Sequence, residues 1–151
     1  MAFRGQYEHR LDAKDRLTVP ARYRGELEGG VVLLNWLDLC VAIYPQADFA
    51  EFAKQRLSGL NPLSKNGRRM IRRFYGDSSD ETLDSAGRVR LPANLIAYAG
   101  LDGPCTVVGA LDHLEVWNPE RWATEQAETA EEANRMAEEF AAVDWPSGAT
   151  S

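Results

Sequence analysis

Short apolar blocks alternate with polar turns along the chain, and the period of each block predicts its element. Runs at 31–36, 40–44, 105–110 and 114–117 are rich in Val, Leu and Ile, as buried strands are. Shorter strands are expected at 16–19 and 88–91, each reached from an extended segment ending at an aspartate, Asp12 or Asp84. Pro20 and Pro92 then open short helices, expected at 21–27 and 93–99, because proline's fixed φ and missing N–H suit the first helical position. The first helix breaks at Gly29 and Gly30, the second at Gly100. Tight turns around Leu37-Asp38-Leu39 and Leu111-Asp112-His113 join the strands that follow.

Three further helices carry amphipathic patterns. One, at 48–57, sets Phe49, Phe52, Ala53 and Leu57 on one face. The second is expected to be capped at Asn61-Pro62 and to run through Tyr75 to Gly76. Its apolar side holds Leu63, Met70, Ile71 and Phe74, and its opposite side Lys65, Arg68, Arg69, Arg72 and Arg73. The last begins at Asn118-Pro119 and runs to about Ala142, with Ala133, Met136, Ala137 and Phe140 as its apolar stripe. Residues beyond it should fray.

The blocks occur twice in the same order. Leu11-Asp12-Ala13-Lys14-Asp15-Arg16-Leu17-Thr18-Val19-Pro20-Ala21 matches Leu83-Asp84-Ser85-Ala86-Gly87-Arg88-Val89-Arg90-Leu91-Pro92-Ala93, a shift of 72 residues. Leu37-Asp38 leads through a strand to Pro45 as Leu111-Asp112 leads to Pro119, now shifted by 74. The expected layout is a first unit at 1–60, a basic helix or linker at 61–76, a second unit with an acidic helix at 77–142, and a flexible tail at 143–151. A half of about 70 residues with such short strands buries little alone. Each half should complete its sheet with the other half, with another subunit, or with both.

Charge changes this picture in its distribution more than in its sum. The net charge is −6, yet residues 120–151 hold eight acids and two bases and account for all of it. The preceding 119 residues carry fifteen charges of each sign, with the bases clustered. Lys65, Arg68, Arg69, Arg72 and Arg73 occur with no acid among them, and residues 1–24 hold six bases against three acids. Cys40 and Cys105 sit in apolar runs and read as small buried hydrophobes rather than as ligands or a disulfide. No signal segment or membrane span is evident, so a cytoplasmic protein is expected.

The opening Phe3-Arg4-Gly5, the loop 11–16 followed by Val19-Pro20, and the second loop 84–88 resemble the MraZ family over residues 1 to about 140. That resemblance implies an α+β fold of two tandem AbrB-like, swapped-hairpin units, pseudo-twofold related and assembling into a ring homo-oligomer, an octamer. It implies a nucleoid-associated regulator that represses its own division and cell-wall operon by binding direct repeats in promoter DNA. One departure stands out. The residue before the first motif arginine is usually glycine and here is Asp15, whereas the second copy keeps Gly87.

On this reading Lys14, Arg16 and Arg88 are the DNA-binding residues, the arginines offering planar forks to phosphate or a guanine edge. Asp12 and Asp84 hold the loops, by accepting backbone N–H groups or by pairing with their own arginine. Arg4, Arg22, Arg24 and Arg90 are further candidates for phosphate contact, but each reads first as an ordinary solvated side chain. The basic face at 65–73 suits either a second DNA surface or, preferably, the acidic C-terminal helix of a neighbouring subunit. No cofactor, metal or small-molecule substrate is expected. His9 and His113 lie in no catalytic or ligating spacing, and no phosphate loop or nucleophile motif occurs. The alternative function is an oligomeric interaction scaffold or an antitoxin-like module.

Overall fold

The computed structural model describes residues 2–143. The expected tail lies outside the described residues, apart from Val143, with which the last helix ends. The chain forms one compact body up to Pro119, and the C-terminal helix is a separate unit.

The body is α+β and follows the repeat. The first copy contributes β1 (Gln6–Arg10), β2 (Arg16–Thr18), a 3₁₀ turn (Ala21–Tyr23) running into α1 (Arg24–Leu27), β3 (Val31–Asn35) and β4 (Val41–Pro45). The second contributes β5 (Ser79–Glu81), β6 (Arg88–Arg90), α4 (Ala93–Ala99), β7 (Pro104–Gly109) and β8 (Leu114–Trp117). Between them lie α2 (Gln46–Phe52), a π-helical turn (Ala53–Leu57) and α3 (Lys65–Tyr75). The separate unit is α5 (Pro119–Val143).

The two copies exchange their first strands. All pairings are antiparallel, and the large sheet runs β1-β7-β8-β4-β3-β5, while β2 and β6 form a two-stranded ribbon. Thus β1 of the first copy pairs with β7 of the second (Tyr7 opposite Val107), and β5 of the second pairs with β3 of the first (Ser79 opposite Leu33). At the centre β4 meets β8, with Val41 opposite Val116. Exchanging the copies leaves the strand order unchanged, so the halves are pseudo-twofold related. Neither half has its complete sheet without the other, which answers the shortage of buried surface expected for 70 residues.

Alternation decides which side chains enter which core. Val31, Leu33, Val41, Ile43, Val107, Leu114 and Val116 face the ribbon side, where they meet Leu17, Val19, Val89 and Leu91 with Tyr23, Leu27, Leu95 and Ala99. Val32, Leu34, Ala42 and Tyr44 face the other side, against Phe49, Leu57 and Phe74. Because both faces are covered, every residue of β3 and β4 is buried, which explains their continuous apolar runs. The turns at the strand ends carry unusual backbone: Asp38, Leu39 and Leu111 all have positive φ, at 66°, 65° and 74°.

Three local expectations are corrected. The helix expected at 48–57 starts at Gln46, directly after Pro45, and finishes as a π-helical turn. α3 is not capped at Asn61-Pro62: Ser64 is the N-cap, its Oγ accepting from Gly67 N–H at 2.8 Å. The Asn61 carbonyl lies against Gly67, so close that a Cβ there would sit 2.0 Å from it; the chain doubles back here and cannot already be helical. Leu63, expected on the apolar side, is consequently outside the helix and 87% exposed. By contrast α4 ends as expected, at Gly100 in the left-handed conformation (φ 64°).

Candidate nucleic-acid interface

The ribbon brings the two motif arginines to one surface. Leu17 and Val89 face each other and point into the core, fully or almost fully buried. The alternate residues therefore point outward: Arg16 opposite Arg90, and Thr18 opposite Arg88. Flanking bonds from Leu91 N–H to Asp15 O (2.9 Å) and from Val19 N–H to Gly87 O (3.0 Å) set the phase. The outward pairs thus occupy non-hydrogen-bonded positions, where facing side chains are closest. Two arginines directly opposed on a ribbon repel one another and do not stabilise it.

Each loop is built the same way. Asp12 Oδ1 accepts from the backbone N–H of Lys14 and of Arg16, both at 2.9 Å, and Oδ2 accepts from Arg16 Nε at 2.7 Å. Asp84 repeats this with Ala86, Arg88 and Arg88 Nε at the same distances. These bonds, led by the backbone N–H of the motif arginine, hold both carboxyls below the ordinary aspartate range. The carboxylate takes only Nε, so the two terminal nitrogens of each guanidinium keep no protein partner among the described residues. An arginine fixed at its root with its fork open suits an incoming anion.

The residue before each arginine closes the loop in the left-handed region, at φ 59° for Asp15 and 76° for Gly87. Aspartate tolerates this region better than most residues, and glycine better still. Lys14 is exposed beside Asp15. Near that end Asp15, Glu81, Arg90, Leu91, Pro92 and Ala93 line a shallow hollow.

The basic helix does not present one uniform face. Lys65, Arg68, Arg69 and Arg72 are exposed, but Arg73 turns inward. It donates to the carbonyls of Asn35 and Trp36 and to Tyr98 Oη, tying α3 to the end of β3 and to α4. Arg68 donates to the carbonyls of Pro62 and Leu63, both at 3.1 Å. The expectation that all five bases lie opposite the apolar side is therefore corrected for Arg73, whose fork replaces backbone partners missing at the end of β3.

Arg90, a secondary phosphate candidate read first as an ordinary solvated side chain, stands on the outward face of the ribbon opposite Arg16. The missed signal was its phase: positions 88 and 90 share a face, and only the ribbon register sets Arg90 against Arg16. His113 is buried, with Asp112 and Glu115 on its two ring nitrogens at 2.7 and 2.9 Å and its ring stacked on Tyr44 at 4.6 Å. Among the described residues, no three His, Cys, Asp or Glu side chains are grouped to hold a metal. No helix among them is long and apolar enough to cross a membrane.

Two tandem exchanged units with an Asp-x-x-x-Arg loop at each end of one ribbon define a class that comparison with known proteins identifies. The model of the MraZ protein family, described as antitoxin-like, matches twice in tandem, at residues 2–74 and 74–144. Similar relatives named "Transcriptional regulator MraZ" occur in Limosilactobacillus fermentum (37% identical, covering 91% of this chain and 96% of the relative) and Thermobifida fusca (40%, 91% and 95%). Another is that of Symbiobacterium thermophilum, 38% identical over 90% of this chain and 98% of the relative. The chain belongs to the MraZ family.

Proposed function

We propose that the chain is a DNA-binding transcriptional regulator whose contact surface is the outer face of the β2–β6 ribbon. The observation that carries this reading is the pairing of Arg16 with Arg90 and of Arg88 with Thr18 on one outward surface, over a core of Leu17 and Val89. A two-stranded ribbon fits the width of the major groove, where an open guanidinium fork recognises guanine O6 and N7 or a flanking phosphate. Lys14 contributes a flexible charge to phosphate, and Asp12 and Asp84 position the loops without touching DNA. The names of the relatives support regulation of transcription. In this reading the protein is cytoplasmic and nucleoid-associated, and represses its own division and cell-wall operon from direct repeats in the promoter.

One ribbon offers few contacts, so binding by one chain is weak and repeats engaged together raise avidity by roughly 10²–10⁴. We place the assembly in a closed ring, an octamer, with the exposed bases of α3 meeting the acidic α5 of the next copy. α5 carries seven acids against Arg121 and Arg135, which supports that complementarity. A heterologous contact of this kind closes into a ring when its rotation permits.

The test is a salt-titrated binding measurement with DNA from upstream of the protein's own gene and with a scrambled duplex. Preference for the upstream DNA, weakening steeply with salt, is the expected result. Equal binding to both duplexes at every salt concentration would leave the scaffold or antitoxin-like alternative in its place.

A further inference from the structure

The two ends of the ribbon are not equivalent, and the difference centres on Arg24. Its side chain lies across Gly87: a Cβ on that glycine would sit 2.3 Å from Arg24 Nε and 2.7 Å from Cδ and Cζ. Arg24 Nε is buried there without a hydrogen-bond partner. The terminal nitrogens have no partner among the described residues either, and they are not buried, so they are open to solvent. The second loop therefore holds two arginines with open forks, Arg24 against Gly87 and Arg88 one residue further on, with Asp84 the acid paired there.

The first loop has no such arrangement. The repeat shift of 72 residues places Ile96 where Arg24 would be, and Ile96 packs against the hydrophobic core. The same shift places Asp15 at the position of Gly87, so a carboxylate stands where the other end has bare backbone. Glu81 and Asp15 also line the hollow that Arg90 lines, so that end of the ribbon carries two carboxylates beside its arginine. Lys14 partly compensates, as a flexible point charge rather than a fork.

We infer that Gly87, Arg88 and Arg24 form a phosphate-binding clamp at the second loop, so that each chain grips nucleic acid asymmetrically. The anion site stands on the geometry alone; its use on DNA rests on the function proposed above. A side chain at 87 would push the end of Arg24 aside from this position, and the left-handed backbone there already favours glycine. Asp15 repels an anion at the other end and leaves Arg16 to act on a base edge.

The experiment is a two-dimensional NMR titration of the full chain with inorganic phosphate, followed by a salt-titrated binding measurement on duplex DNA. In wild type, the amides of Gly87 and Arg88 and the Arg24 side-chain resonance should shift with phosphate, while Asp15 and Arg16 stay. Arg24→Met keeps the packing stem without the charge and should abolish those shifts. It should also weaken DNA binding about tenfold at low salt and lower the salt slope by about one. Arg24→Lys should retain part of both. Equal shifts at both loops, or none at the second, would overturn the clamp, and this wild-type result holds even if a variant fails to fold. Phosphate shifts at the second loop without any binding to DNA would sustain the clamp and overturn the DNA reading instead.

Discussion

In each motif loop one carboxylate both shapes the backbone and aims the arginine that follows. Asp12 and Asp84 divide the tasks between their oxygens, Oδ1 to two backbone N–H groups and Oδ2 to Nε. Since folding lowers both carboxyl values, this arrangement persists above the ordinary aspartate range and is lost only as pH falls through the depressed folded values. Carbon-detected NMR titration should show both groups protonating at lower pH than an ordinary exposed aspartate. Gly87→Ala should destabilise the fold by about 1–2 kcal/mol in chemical denaturation, because the left-handed backbone disfavours a side chain, while the flexible end of Arg24 moves aside from the added Cβ. The motif residues were legible from the sequence because the repeat printed them twice. Arg24 and Arg90 were legible only as secondary phosphate candidates, since the place of one depends on packing across the two copies and that of the other on a register between strands 72 residues apart.

Among the elements, the β7–β8 turn is fastened to the aromatic cluster by His113. Burial alone would lower its pKa, but hydrogen bonds and charge from Glu115 and Asp112 outweigh burial and raise it above 6.5. Protonation is thus favoured by folding: the stabilisation is complete below about 6.5 and is lost as pH rises through the raised folded value. The melting temperature should fall as pH climbs through the neutral range, and His113→Gln should flatten that slope. Strands and short helices were legible to within one or two residues, since burial on both faces leaves an apolar run and Gly100 marks a helix end. The start of α3 was not, because two capping signals compete within four residues. Contact of the Asn61 carbonyl with Gly67 decides for Ser64, and Ser64→Ala should cost about 1 kcal/mol.

At the scale of the whole molecule, strand exchange makes the two copies one folding unit. Fragments 1–76 and 77–151 each lack the partner strand that the other supplies, so each should be largely unfolded or self-associated by circular dichroism and gel filtration. Mixing them should restore the native spectrum. That need for a partner was legible from the brevity of the strands, but the choice between the sister copy and a second subunit was not. The pairing of β1 with β7 and of β5 with β3 settles it for the sheet. Net charge was a poor guide to function, because the acids of α5 conceal the cations gathered on the ribbon and on α3.

The most direct measurement compares affinity for upstream DNA among wild type, Arg16→Ala with Arg88→Ala, and Arg68→Ala with Arg69→Ala and Arg72→Ala, with the mass of each assembly recorded alongside. Loss of DNA binding with assembly intact in the ribbon variant, and weakened assembly with weaker binding that still prefers the upstream DNA in the α3 variant, is the expected result. A ribbon variant that folds, assembles and binds as wild type, beside an α3 variant that assembles but no longer binds, would contradict the ribbon as the DNA-contact surface.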